Sequence, residues 1–239
     1  MHYISILSTI VTFIFTAAVF NRYRYKGGKH LLFWGVGLAL YGIGTLTEAV
    51  LAFTFNPLAL RLWYLTGAML TAAWLGQGTI NLLVRRRGIA PALNWILIAV
   101  SAIALVMVLA APITSAASSY NINNPVSAQY QEILTRSGVI VLLTVLLNIY
   151  GTLGLVGGAI YSSYLFWRKR VLGNRVIGNI LIAAGALMPA MAGSLIKAGL
   201  ADWLYVSELL GVVLMFVGFL QATAPQTVKA DETAAAAAS

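Results

Sequence analysis

Six acidic residues stand against fifteen basic ones, and two of the six, Glu48 and Glu208, fall inside long apolar runs. A carboxylate within a membrane-crossing run is costly, and it marks a partner, a wet cavity or a ligand. At a rise of 1.5 Å per residue, Glu48 lies roughly 25 Å along its helix from Leu31, and Glu208 about 9 Å past Trp203. Arg61 opens the next apolar run, Lys197 closes the sixth, and Asp202 falls in the turn before the seventh. These five charges therefore share one layer, with Tyr41, Asn56, Tyr64 and Tyr205 close to it. The candidate ligand-binding set is Glu48, Arg61, Tyr64, Lys197, Tyr205 and Glu208. The competing reading makes Arg61, Lys197 and Asp202 interfacial charges and the two glutamates their structural partners.

Other chemistry is sparse. His2 and His30 are the only histidines and cysteine is absent, so neither a bis-histidine haem nor a thiolate or histidine metal cage is expected. The last apolar run holds no lysine for a retinal Schiff base, and no serine or threonine has a histidine near enough to activate it. The chain is expected to bind no cofactor and to be no enzyme. Gln77, Thr79 and Asn81 in one run, with Asn148 and Tyr150 in another, read as hydrogen-bonding glue between helices.

The elements that must hold these residues are seven apolar stretches: 3–20, 31–53, 59–84, 91–111, 138–167, 175–198 and 203–221. Each matches or exceeds the roughly 17 to 25 residues of a membrane-crossing helix. The fold class expected is all-α, an integral membrane bundle of seven transmembrane helices. Twelve of the fifteen basic residues fall in alternate gaps or in the tail: Arg22, Arg24, Lys26 and Lys29; Arg85, Arg86 and Arg87; Arg168, Lys169, Arg170 and Arg175; and Lys229. Arg61, Arg136 and Lys197 lie opposite, which puts the N-terminus outside and the C-terminus in the cytoplasm. The basic cluster follows the first helix instead of preceding it, so that helix reads as retained, not as a signal peptide.

Composition agrees: 60% of residues are hydrophobic and 9% charged, unlike any ordinary soluble domain. The net charge of +9 comes from short loops beside membrane runs, which points to anionic lipid and excludes nucleic acid. Aromatics suit interfacial belts, with Trp34, Trp95, Phe166 and Trp167 at one edge and Trp63, Tyr64, Trp203 and Tyr205 at the other. Residues 1–223 form the transmembrane domain. The connection 112–137 is expected to carry a short helix over 127–134, and 224–239 a disordered tail too short for an output domain.

Small residues recur at packing intervals: Gly35, Gly42 and Gly44, then Gly67, Gly76 and Gly78, then Gly151, Gly154, Gly157 and Gly158. Pro189 predicts a kink in the sixth helix. Helices one to three and five to seven share orientation, and in each set an aromatic and basic junction leads into a glycine-rich helix, a 3+1+3 pattern known in small facilitators.

The runs LLFWGVGLALYGIGTLTE at 31–48, RLWYLTG at 61–67 and WLGQG at 74–78 resemble uncharacterised bacterial seven-helix membrane proteins. More distantly they are similar to the seven-transmembrane sensing region at the N-terminus of some bacterial histidine kinases. That resemblance implies a glutamate late in the second helix and aromatics early in the third at a sensing site, with no kinase following here. The function expected is a receptor-like or accessory sensing module of the bacterial plasma (inner) membrane, binding a small ligand or partner near its outer face. Membrane lipids and another membrane protein are its expected partners. The alternatives are a small-solute transporter and a non-catalytic subunit of a larger membrane complex.

Overall fold

The computed structural model describes residues 2–84, 86–168, 173–191 and 203–224. Among these the chain is helical, and its one bridge outside helices is the antiparallel pair Ile113 and Leu134. Helix α1 (His2–Lys26) gives way to α2 (Lys29–Leu51) through Gly27 and Gly28, at φ of 64° and 100°. Those backbone angles suit glycine, and the Gly27 N–H closes α1 by donating to the Tyr23 carbonyl at 2.8 Å. Helix α3 (Pro57–Leu83) starts where the Asn56 side chain accepts from the Leu58 and Ala59 N–H groups at 2.9 and 3.0 Å. Pro57 costs nothing there, since the first helical N–H groups lack partners within the helix.

Helices α4 (Ile89–Leu109), α5 (Val126–Ile133), α6 (Gly138–Arg168), α7 (Gly173–Ala190) and α8 (Trp203–Thr223) follow. Six helices, α1 from Tyr3 onward, α2, α3, α4, α6 and α8, are long and apolar enough to cross a membrane. The chain is therefore a multi-pass helical membrane protein. The sixth apolar run begins in α7, but its later part, with Lys197 and Gly193, lies outside the described residues.

Close backbone approaches fix both neighbours and directions. A Cβ on Gly44 would meet the Gly67 Cα at 2.8 Å, and one on Gly37 the Leu75 side chain at 2.9 Å, so α2 and α3 pack antiparallel. Gly76 faces Gly151 and Gly158 faces Leu83, which sets α3 and α6 parallel. Gly178 faces Gly218 and Gly185 faces Gly211, making α7 and α8 antiparallel. The rings of Phe15 and Phe216, 4.9 Å apart, bring α8 back against α1. The described helices thus close a ring in the order α1, α2, α3, α6, α7, α8, while α4 packs outside on α3 and α6. Without water to drive helices together, van der Waals contact at such small-residue seams holds them. Gly157 is the exception among the glycines named from sequence, with nothing near its Cβ position.

Two stretches inside the long helices are π-helical, Trp63–Leu70 in α3 and Leu153–Gly157 in α6. The wider turn shifts the backbone ladder by one residue, and side chains add bonds to its carbonyls. Thr71 donates to the Thr66 carbonyl at 2.7 Å, and Asn148 to that of Ala68 at 2.8 Å.

The connection between α4 and α6 is folded. The Thr114 N–H donates to the Ile133 carbonyl at 2.9 Å and the Thr135 N–H to that of Pro112 at 3.0 Å, pinning α5 over one end of the ring. Helix α5, expected over 127–134, spans Val126–Ile133 and buries both those residues. Tyr120 donates to the Leu51 carbonyl at 3.0 Å. Burial, with a smaller contribution from Glu48, pushes the Tyr120 phenol up to about 12, so it stays a donor.

A cavity with two facing carboxyls

A cavity of about 380 Å³ lies between the ring helices at the end covered by α5. Helix α2 contributes Tyr41, Thr45 and Glu48; α3 contributes Trp63, Ala68, Thr71, Ala72 and Leu75; α5 contributes Ser127, Tyr130 and Gln131. Asn148 and Thr152 of α6, Pro189 of α7, and Leu204, Glu208 and Met215 of α8 complete the wall. Its size lies within the range of small-molecule sites, which run from about 300 to 1,000 Å³.

Glu48 and Glu208 reach it from helices that meet at Tyr41, whose hydroxyl donates to the Glu208 main-chain carbonyl at 3.2 Å. Their carboxyls stand within hydrogen-bonding reach of each other, with the Trp63 indole beside Glu48. Glu48 is 2% exposed, and its Oε1 has no hydrogen-bond partner. Ser127 Oγ, in the same wall, is also buried without a partner. The groups acting on the two carboxyls include no basic residue among the described residues.

The other residues of the predicted layer stand elsewhere. Arg61 donates from Nε and one terminal guanidinium nitrogen to the Ala111 carbonyl at 3.1 and 2.8 Å, tying α3 to the end of α4. Tyr64 is buried and shares a 2.9 Å hydrogen bond with Thr144 of α6. Tyr205 is buried one residue beyond the cavity-lining Leu204 and does not itself line the space. Lys197 and Asp202 lie outside the described residues. The structure thus brings Glu48 and Glu208 together and sets Arg61, Tyr64 and Tyr205 behind the wall.

Sequence reasoning missed the aromatic corner of the site. Tyr130 of α5 lies 5.2 Å from the Trp63 ring and 5.6 Å from Tyr64, while the Arg136 guanidinium sits 4.8 Å from its centroid. Trp63 is buried in this corner and Trp34 donates to the Leu75 carbonyl at 3.1 Å, so neither is a belt residue. Trp95, Trp167 and Trp203 are exposed, as belt residues would be.

Of the second polar set, Gln77, Asn81 and Tyr150 form a network around Asn94 of α4, which the sequence reading passed over, while Thr79 accepts from Trp34 at 3.2 Å and Asn148 stands in the cavity wall. Gln77 and Asn81 both donate to the Asn94 side-chain oxygen, and Tyr150 donates to Gln77. Helices α3, α4 and α6 are joined there by residues that do not line the cavity. Comparison with protein-family models, curated proteins and solved structures gives no match to this chain.

Proposed function

We propose that this protein is a receptor-like module of a bacterial plasma membrane, with seven spans, an outside N-terminus and a cytoplasmic C-terminus, binding a small molecule in the cavity between α2, α3, α6 and α8. The supporting observation is the partly enclosed, mainly apolar cavity holding two facing glutamates, one with an unpartnered oxygen. A buried carboxylate without a counter-charge is strongly destabilising, and among the described residues the two glutamates meet each other and no basic group, which suits a ligand that brings the charge. The resemblance of α2 and α3 to kinase-linked sensing regions points the same way.

Transport is the second reading, favoured by a specific spacing. Gly37 and Gly44 of α2 lie against α3 as Gly178 and Gly185 of α7 lie against α8, with the same interval of seven residues in each. Parallel repeats around a central site are a transporter architecture. The deciding experiment is a small-molecule thermal-shift screen on purified protein, repeated on Ala72→Trp, followed by liposome flux assays on any compound found. Binding that is lost in Ala72→Trp, without flux, supports the receptor reading. Flux supports transport, and binding untouched by Ala72→Trp removes the cavity from both.

A further inference from the structure

The chemistry of the cavity selects a class of ligand, an inference that rests on the cavity being the binding site. Two carboxyls meet there from different helices, and no basic group among the described residues acts on either. Glu48 Oε1 and Ser127 Oγ, both in residues of the same wall, are buried without a hydrogen-bond partner. The carboxylate oxygen asks for an N–H or O–H from whatever enters, and the hydroxyl can accept one or give its own. Next to Glu48 stands the Trp63 indole, with Tyr130 edge-on to it at 5.2 Å. The indole meets the Glu48 carboxyl through its N–H, and the Tyr130 ring carries the Arg136 guanidinium 4.8 Å from its centroid, so the pull on a cation comes from the two carboxyls. Deeper in, Ala72, Leu75 and Met215 make the wall apolar.

A metal ion fits this set poorly. Calcium takes six to eight oxygen ligands, and among the described residues no group of three His, Cys, Asp or Glu side chains comes together. A quaternary ammonium would satisfy the charge but would leave Oε1 without a donor. A protonated primary or secondary amine satisfies both, and its carbon body matches the apolar depth. We infer that the cavity takes a small organic amine, held as its ammonium ion between Glu48 and Glu208 against Trp63, with its apolar part lying toward Leu75 and Met215.

The test compares three probes of nearly equal shape on purified protein by calorimetry near neutral pH: 2-phenylethylammonium, 2-phenylethanol and phenylacetate. The ammonium is expected to bind at least tenfold more tightly than the alcohol, and phenylacetate not at all. Glu48→Gln and Glu208→Gln should each erase most of that preference. The comparison on the unmodified chain stands even if a variant fails to fold. Equal binding of alcohol and ammonium, both lost in Ala72→Trp, would overturn the ammonium assignment and leave the cavity as the site. Binding of any probe that survives Ala72→Trp would overturn the site as well, and failure of all three to bind would overturn the assignment. A rise in ammonium affinity on Lys197→Gln would place the chain's own lysine between the carboxyls and would also overturn it.

Discussion

Arg61 directs its guanidinium at the Ala111 main-chain carbonyl, although its position in the sequence put it in one layer with two glutamates. Depth along a helix follows from residue count, and it served well for Glu48 and Glu208. Direction around the helix does not, because in runs such as 59–84 the polar residues are too scattered to mark one stripe and fix a facing. The π-helical segment Trp63–Leu70 shifts the facing further, and nothing in the spelling WYLTGAML announces it. Tyr64 and Tyr205 stand beside wall residues, Tyr64 against Tyr130 and Tyr205 next to Leu204, at the depth that residue count gives them. Asn94 was within reach of sequence reasoning, since a lone amide in the apolar run 91–111 asks for a partner across the bundle. The structure makes Arg61 and Glu48 independent, and a double-mutant cycle checks this. Arg61→Gln should cost about 2 kcal/mol, the usual worth of hydrogen bonds from a charged donor. Combined with Glu48→Gln, the two changes should add to within about 0.5 kcal/mol in thermal melts. A larger coupling, with the double variant more stable than the sum, would restore the structural ion pair.

At the scale of elements, the seam between α3 and α6 bears the closest approach. A Cβ on Gly151 would run into the Ala72 main chain, which a helix backbone does not yield as a flexible side chain does. Gly157, six residues on in the same helix, faces open space. Gly151→Ala should therefore destabilise the detergent-solubilised protein by about 2 kcal/mol or more, in the range of overpacked cores. Gly157→Ala should leave stability unchanged or raise it by roughly 0.5 kcal/mol, since alanine loses less conformational freedom in a helix. Equal melting temperatures for the two variants would mean that the seam runs elsewhere. Glycine spacing alone announced a close contact but named both residues alike, because a glycine that admits a neighbour and one that faces lipid look the same in sequence. The cavity was equally hidden. It is the gap left where α2, α3, α6 and α8 diverge, and no single run encodes a gap between four.

For the whole molecule, the alternation of basic and neutral connections now has a spatial meaning. Antiparallel packing of α2 on α3 and of α7 on α8, with α3 and α6 parallel, gathers Arg22, Arg24, Lys26, Lys29, Arg86, Arg87, Arg168 and Arg175 at one end of the bundle. The folded connection with α5 covers the opposite end, where the cavity lies. Retention of positive loops in the cytoplasm would then turn the cavity toward the outside. The chain has no cysteine, so single cysteines can report each face without background. Ser119 in the connection and Arg87 between α3 and α4 are both exposed, and Arg87 avoids Gly88, whose φ of 89° would strain a side chain. In intact cells Ser119→Cys should react with a membrane-impermeant maleimide, and Arg87→Cys only after permeabilisation. The reverse pattern would leave the bundle intact and put the cavity on the cytoplasmic side, so that its ligand would come from within the cell. Labelling of both from outside would mean that an odd number of crossings does not separate these two loops, and the assignment of membrane spans would have to be redrawn.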